Sequence, residues 1–287
     1  MKKMIKPVLS HEQSLDALVK TIRIPPRPSL LADVQKELSA SDPDPRRLAK
    51  IIADDVAMSA SLLKLTNSSF FGLRLKAKSV EHAVDLLGLD QCGLLMTGII
   101  ARQTVGTSGA ALVKFWNFST HRAQALTYLA RHIPVCSRDA AHTFGLFCDI
   151  GVPLLLERFS DYPNTLSMAN AAFDKSFTAV EDLRHTTNHA SIGSLMARTW
   201  GLPEEVSTAI LLHHEYAVLG DAATDESIRG LIALALLAEY AIHLYDGEEI
   251  SAEWEKGGAD TCHFLGISQD EAADRIDELH DMFNHSH

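Results

Sequence analysis

The residues best suited to chemistry are imidazoles and carboxylates spread through the middle and later parts of the chain: His121, Asp149, His189, His213, His214 and Glu239. Asp149 ends an apolar stretch, Phe144-Gly-Leu-Phe-Cys-Asp-Ile-Gly-Val-Pro153. A carboxylate in such surroundings needs a metal, a cation or hydrogen-bond donors. Imidazole nitrogens and carboxylate oxygens delivered from separate rigid helices are donor types that hold divalent ions. One or two such ions can polarise a phosphoryl group and activate a water. Spacing alone leaves a plainer reading open. With 14 histidines in 287 residues, several fall near one another by chance, each as a hydrogen-bonded core or surface residue. A third arrangement, with Cys148 as nucleophile, His121 as base and Asp149 as orienter, has no local protease signature behind it.

The elements that must position these residues read as helices. A loose arm (1–14) leads to a short amphipathic helix marked by Leu15, Leu18 and Val19. Ser29 is the expected cap of a helix bearing Leu30, Leu31, Val34 and Leu38, and Asp42-Pro-Asp-Pro45 starts the next. Asp54-Asp55 caps a further helix, followed by a buried turn at Phe70-Phe-Gly-Leu73. Ser79 opens another, Gly88-Leu-Asp90 is a break and a new cap, and an apolar helix runs to about Arg102. Thr104 to Gly109 is the best internal boundary.

Phe115-Trp-Asn-Phe118 leads into a helix carrying His121, with Ala125, Leu126, Leu129 and Ala130 on its apolar face. The segment from Arg138 to Phe147 delivers Cys148 and Asp149. Asn188 to Trp200 and Glu204 to His214 carry the later histidines. Ser227 to Tyr245 is followed by a linker around Gly257-Gly258 and an acidic last helix from Ser268 to Phe283. The expected fold is all-α, with roughly a dozen helices and no strand alternation.

Composition narrows the function classes. The net charge of −11 argues against non-specific binding to nucleic acid or an anionic membrane. The four cysteines form no C-x-x-C pair, which fits reduced thiols and a cytoplasmic location. No signal peptide is expected, and the longest apolar run, Leu231 to Ala238, is too short to span a bilayer. The small basic cluster of Lys64, Arg74, Lys76 and Lys78 reads as solvated surface, and Met58, Met96, Met168 and Met196 read as core filler.

The stretch from Ile24-Pro-Pro through Asp55, with Leu62-Leu-Lys-Leu-Thr-Asn-Ser-Ser-Phe-Phe-Gly72 and Ser79-Val-Glu-His-Ala-Val-Asp-Leu-Leu-Gly-Leu89, resembles the HDOD domain. The likeness continues through Trp116, His121, Gly145-Leu-Phe-Cys-Asp-Ile-Gly151, His189-Ala-Ser-Ile-Gly193 and Trp200-Gly-Leu-Pro-Glu-Glu205 with His213-His214. It implies an HDOD domain over 15–217, divided into an N-terminal lobe (15–105) and a degenerate HD-like lobe (110–217), with a C-terminal helical extension (218–287).

HDOD proteins are relatives of the HD-domain metal-dependent phosphohydrolases and are generally regarded as having lost the full metal set. By that resemblance His121 matches the first ligand and Asp149 the Asp of the His-Asp pair, while Cys148 replaces the adjacent His. His189 and His214 (or His213) match later histidines, and Glu239 sits near a final acidic ligand. The implied function is a non-catalytic regulatory module in bacterial signal transduction. It works through signalling-protein partners and retains at most one divalent ion or a phosphate-containing ligand. The alternative is a phosphohydrolase acting on a nucleotide. Cys148 reads as a buried thiol, with redox sensing a weaker idea. Ile276, Leu279 and Phe283 can pack on the core or on a second subunit, which leaves a homodimer open.

Overall fold

The structure, a computed structural model, describes residues 22–68, 75–106, 109–248 and 250–285. The 1–14 arm, the helix expected around Leu15, Leu18 and Val19, the Phe70–Leu73 turn and Arg74 lie outside the described residues. Among the described residues there are fifteen α-helices, one 3-10 turn and no strand. The all-α expectation therefore holds.

Five helices precede the site: α1 (Ser29–Leu38), α2 (Pro45–Ala53), α3 (Val56–Thr66), α4 (Val80–Leu87) and α5 (Leu89–Val105). Local sequence sets most of their starts. The Asp44 carboxylate accepts from the Arg46 N–H, Asp55 from Ala57 and Met58, and Ser79 from His82, each satisfying a donor that the first helical turn leaves open. Ser29 is not a cap. It is the first helical residue, and Pro28, held extended with φ −62°, takes the cap position. Gly88 ends α4 and begins α5, which bend 120° apart, and Asp90 makes no cap bond there. Asn67 ties the end of α3 to the approach to α4: its amide donates to the Ala77 carbonyl (3.0 Å), and the Ala77 N–H donates to Asn67 Oδ1 (2.7 Å).

The rest of the chain builds the site. It comprises α6 (Ala110–His132), α7 (Arg138–Phe147), α8 (Gly151–Arg158), α9 (Tyr162–Asn170), α10 (Phe177–His185), α11 (His189–Thr199) and α12 (Glu204–Leu212). A 3-10 turn (Tyr216–Gly220) leads to α13 (Glu226–Tyr245), α14 (Ala252–Leu265) and α15 (Gln269–His285). Phe115 to Phe118 lies inside α6 instead of leading into it. One hydrophobic core runs from Ile22 to Phe283, and Ala169, Phe177 and Val180 make a small satellite under the α9–α10 hairpin. Met58, Met96 and Met196 are buried, but Met168 is half exposed on α9, against the core-filler reading.

The expected linker at Gly257-Gly258 is wrong, because both residues lie within α14. Glycine serves close packing there: a Cβ on Gly257 would lie 2.5 Å from the Tyr216 ring, and one on Gly258 2.7 Å from the Trp254 ring. Among the described residues two stretches, Arg138–Arg158 and Glu226–Tyr245, are long and apolar enough to cross a membrane by length and composition. That corrects the expectation drawn from the short Leu231–Ala238 run. All eight residues of that run are buried in the core, so packing accounts for its apolar character. Ile276, Leu279 and Phe283 on α15 are also buried, with α15 packed on α13 and α6.

Candidate metal centre

Asp149 sits at the break between α7 and α8, where Cys148 caps α7 and the chain turns into Gly151. The break brings the carboxylate to the start of α11 because two glycines let backbones nearly touch. A Cβ on Gly151 would lie 2.1 Å from the His189 carbonyl oxygen, and one on Gly145 2.5 Å from Ala123 Cα on α6. His189 is the first residue of α11, whose cap is the Asn188 side chain accepting from the Ser191 N–H. His213 and His214 follow the end of α12.

Asp149, His189, His213 and His214 converge, with one donor atom from each lying within 4.8 Å of every other. The three histidines are buried. Asp149 Oδ1 is 3.2 Å from His189 Nε2 and 3.3 Å from His213 Nε2. His189 Nε2 is 3.2 Å from the Nε2 of both His213 and His214. A tetrahedral ion with bonds of about 2.0–2.1 Å spaces its donors roughly 3.3–3.4 Å apart. Four of the six donor pairs already sit at 3.2–3.3 Å.

The far side of each imidazole is also fixed. His189 Nδ1 faces Glu181 Oε2 at 2.7 Å, His214 Nδ1 faces Glu253 Oε2 at 2.7 Å, and His213 Nδ1 faces the Ile210 carbonyl at 2.7 Å. All three partners are acceptors, so each Nδ1 carries the proton and each Nε2 of a neutral ring presents its lone pair inward. Carboxylates behind metal-binding imidazoles orient the ring and raise its basicity. Those carboxylates are braced in turn: Tyr162 donates to Glu181, and Tyr216 donates to Glu253 at 2.6 Å.

Three lone pairs and a carboxylate oxygen meeting in a buried space repel unless a cation lies among them. In the metal-free chain a proton on His189 can play that part. Burial works against that charge, but Glu181 and Asp149 outweigh it and lift the imidazole to about 10. His214 moves the other way, down to about 4, through burial and the neighbouring His213. Burial alone would raise Asp149. Arg122 first, and then the protonated His189 beside it, reverse that and hold it well below the usual carboxylate range. The donor set thus fits one borderline divalent ion, such as zinc, held by Asp149, His189, His213 and His214.

Two expected residues are placed elsewhere. His121 is half-buried on α6 and stacks on Phe283 of α15, with ring centroids 5.3 Å apart. It is not in the convergent group. Glu239 on α13 accepts from Arg122 Nη1 at 2.7 Å instead of facing the imidazoles. Cys148 is fully buried, and burial pushes its thiol well above the usual value, so it stays protonated.

Arg122 is the residue that reading the sequence missed. It is wholly buried, its Nη1 lies 2.5 Å from Asp149 Oδ2, and its Nε donates to the Gly145 carbonyl at 3.0 Å. A signal was present, since Arg122 precedes Ala125, Leu126 and Leu129 by three, four and seven residues and so shares their core-facing stripe. Nothing in the sequence marked Glu181 or Glu253, whose partners lie 8 and 39 residues away along the chain.

Fold and donor set together define an all-helical protein built around a buried histidine–carboxylate cluster of metal-binding type. The family model of the HDOD domain matches residues 24–216, and the chain belongs to that family. An uncharacterized protein of Treponema pallidum (strain Nichols) is 25% identical over 230 residues, covering 78% of this chain and 43% of that protein, so the match spans less than half of that relative. Two solved structures are similar over nearly their whole lengths. One is a "Putative phosphohydrolase" from Shewanella amazonensis SB2B (TM-score 0.70, 18% identity, 96% of this chain and 98% of that one). Another is an HDOD domain protein with unknown function from Geobacter sulfurreducens (TM-score 0.66, 16% identity, 95% and 97%). A "Putative signal transduction protein" from Marinobacter aquaeolei VT8 is also similar (TM-score 0.69, 20% identity, 92% and 59%). At these identities the likeness is one of fold.

Proposed function

We propose that this chain is a non-catalytic regulatory protein of bacterial signal transduction, working in the cytoplasm through contacts with signalling proteins. In this reading its metal centre is architecture. The observation that carries it is the closure of the donor set. Three imidazole nitrogens and one carboxylate oxygen would supply all four positions around a tetrahedral ion. Structural sites are closed in this way, whereas catalytic ones keep a position open for water or substrate. The ion would supply cohesion between α7, α11 and α12. Glu181, Glu253 and Ile210 would hold the imidazoles in the tautomer that binds it.

The buried, protonated Cys148 supports the same reading, because the place the HD resemblance gives to a metal-binding His holds a group with neither charge nor a lone pair suited to a hard ion. A phosphohydrolase acting on a nucleotide is the second reading. It is favoured by the partial exposure of the Asp149 side chain, 24%, which leaves one edge of the cluster within reach of solvent.

Metal analysis of the purified chain, followed by phosphatase and phosphodiesterase assays with added Mn²⁺, Fe²⁺ or Mg²⁺, separates the two. One bound ion with no turnover is the expected result. Turnover that is lost in Asp149→Ala and His213→Ala would sink the regulatory reading.

A further inference from the structure

Two acidic side chains from distant parts of the chain close on a single nitrogen. Asp149, from the α7–α8 break, and Glu239, from α13, bind Nη1 of Arg122 at 2.5 and 2.7 Å. Arg122 comes from α6 and has no exposed surface. Its Nε is fixed on the Gly145 carbonyl, its guanidinium lies 5.4 Å from the centre of the Phe118 ring, and its buried Nη2 has no hydrogen-bond partner among the described residues. An arginine buried this deeply with a spare donor is there for its charge more than for a full set of hydrogen bonds. A guanidinium does not lose its proton in a protein, so that charge is permanent.

Asp149 therefore lies between two cation positions. Its Oδ1 faces the imidazoles of His189 and His213, and its Oδ2 faces the guanidinium. Sites with two metal ions place them about 3.5–4 Å apart, clamping the reacting group between them. Asp149 Oδ2 and Glu239 are the hard oxygen donors that such a second ion would take.

We infer that Arg122 Nη1 fills a latent second metal position between Asp149 Oδ2 and Glu239 Oε1, so that the centre admits one divalent ion and excludes another. This rests on the reading of the imidazole cluster as a one-ion site. A guanidinium balances the two carboxylates as an ion would. It cannot accept a water or phosphoryl oxygen as a ligand, and so the two-ion route to hydrolysis is closed at that position.

Mn²⁺ is the probe, used on the full chain with binding counted by equilibrium dialysis and the signal read by electron paramagnetic resonance. Wild type is expected to bind one equivalent with an uncoupled spectrum. Arg122→Ala is expected to bind two, with the spectrum of an exchange-coupled pair, and Arg122→Ala combined with Glu239→Gln to return to one. Arg122→Gln, which keeps much of the side-chain volume, serves if the alanine variant does not fold. A coupled pair in wild type at high Mn²⁺ overturns the inference without any variant, as does a single equivalent in both folded Arg122 variants. Wild type that binds none overturns the one-ion reading instead. The inference then stands if an Arg122 variant gains one equivalent that Glu239→Gln removes, and falls if it gains none.

Discussion

Neighbours on α6, His121 and Arg122 end in different places: the His121 ring stacks on Phe283 of α15, and the Arg122 guanidinium reaches Asp149. The helix turns about 100° per residue, so adjacent side chains leave it in different directions. The residue matched to a first metal ligand therefore braces the C-terminal helix. His121→Ala should leave metal content at one equivalent and cost about 0.5–1.5 kcal/mol of stability through the lost aromatic contact. His213→Ala should abolish binding. Metal analysis and denaturant unfolding of both variants check this, and loss of the ion in His121→Ala would contradict the placement.

The carboxylates behind the imidazoles should matter nearly as much as the ligands. Glu253 accepts from both His214 and Tyr216, and Glu181 from both His189 and Tyr162. Removing an oriented outer partner of this kind weakens metal binding about 10–100-fold. Competition with a chromophoric chelator should show that loss for Glu181→Gln and for Glu253→Gln, with the fold retained. Affinities equal to wild type would mean that the imidazoles need no orientation from behind.

Metal uptake should release a proton. The His189 imidazole, lifted to about 10, is protonated at neutral pH in the metal-free chain, and an ion must displace that proton. Because the folded value lies above the unfolded one of about 6.5, the proton stabilises the metal-free fold fully below about pH 6.5, and this contribution fades as pH rises towards 10. Titration calorimetry with Zn²⁺ in two buffers of different ionisation enthalpy should report close to one proton released near neutral pH. Metal-free protein should lose stability between about pH 7 and pH 10 while loaded protein does not. No proton release would contradict the assignment of charge to His189.

Much of the fold was legible because helix starts are local events. Asp44, Asp55 and Ser79 announce themselves by residue type and by the apolar spacing that follows. The same rules failed where tertiary packing decided the matter. Gly257 and Gly258 read as a linker because glycine is a poor helix former, yet α14 uses them to lie against Tyr216 and Trp254. The site was legible in its donor types but not in its membership. Asp149, His189, His213 and His214 were all among the candidates, but which of the histidines converge depends on how closely Gly151 lets α8 approach His189. Arg122 carried its signal in helical phase, whereas Glu181 and Glu253 carried none, because a carboxylate behind an imidazole is defined only once distant helices meet.

Outside the metal centre, His142 should make the fold acid-sensitive. It lies on α7, lines a cavity of about 290 Å³ against the start of α5, and its buried Nδ1 has no hydrogen-bond partner among the described residues. Burial pushes its imidazole from the usual 6.5 down to about 4. Between those values the unfolded chain binds the extra proton, so stability rises with pH. The contribution is complete above about pH 6.5 and is lost as pH falls towards 4, by up to roughly 3 kcal/mol. His214, also down to about 4, acts in the same window, so wild type alone does not isolate the effect. His142→Leu does, since it removes one titrating group and an unsatisfied polar atom at once. The variant should be as stable as wild type or more so at about pH 7.5, where an orphan donor or acceptor only costs stability. It should also lose less stability on going to about pH 5. Urea unfolding of both proteins at the two pH values gives the four free energies, and equal losses in the two proteins would show that His142 does not set the acid limit.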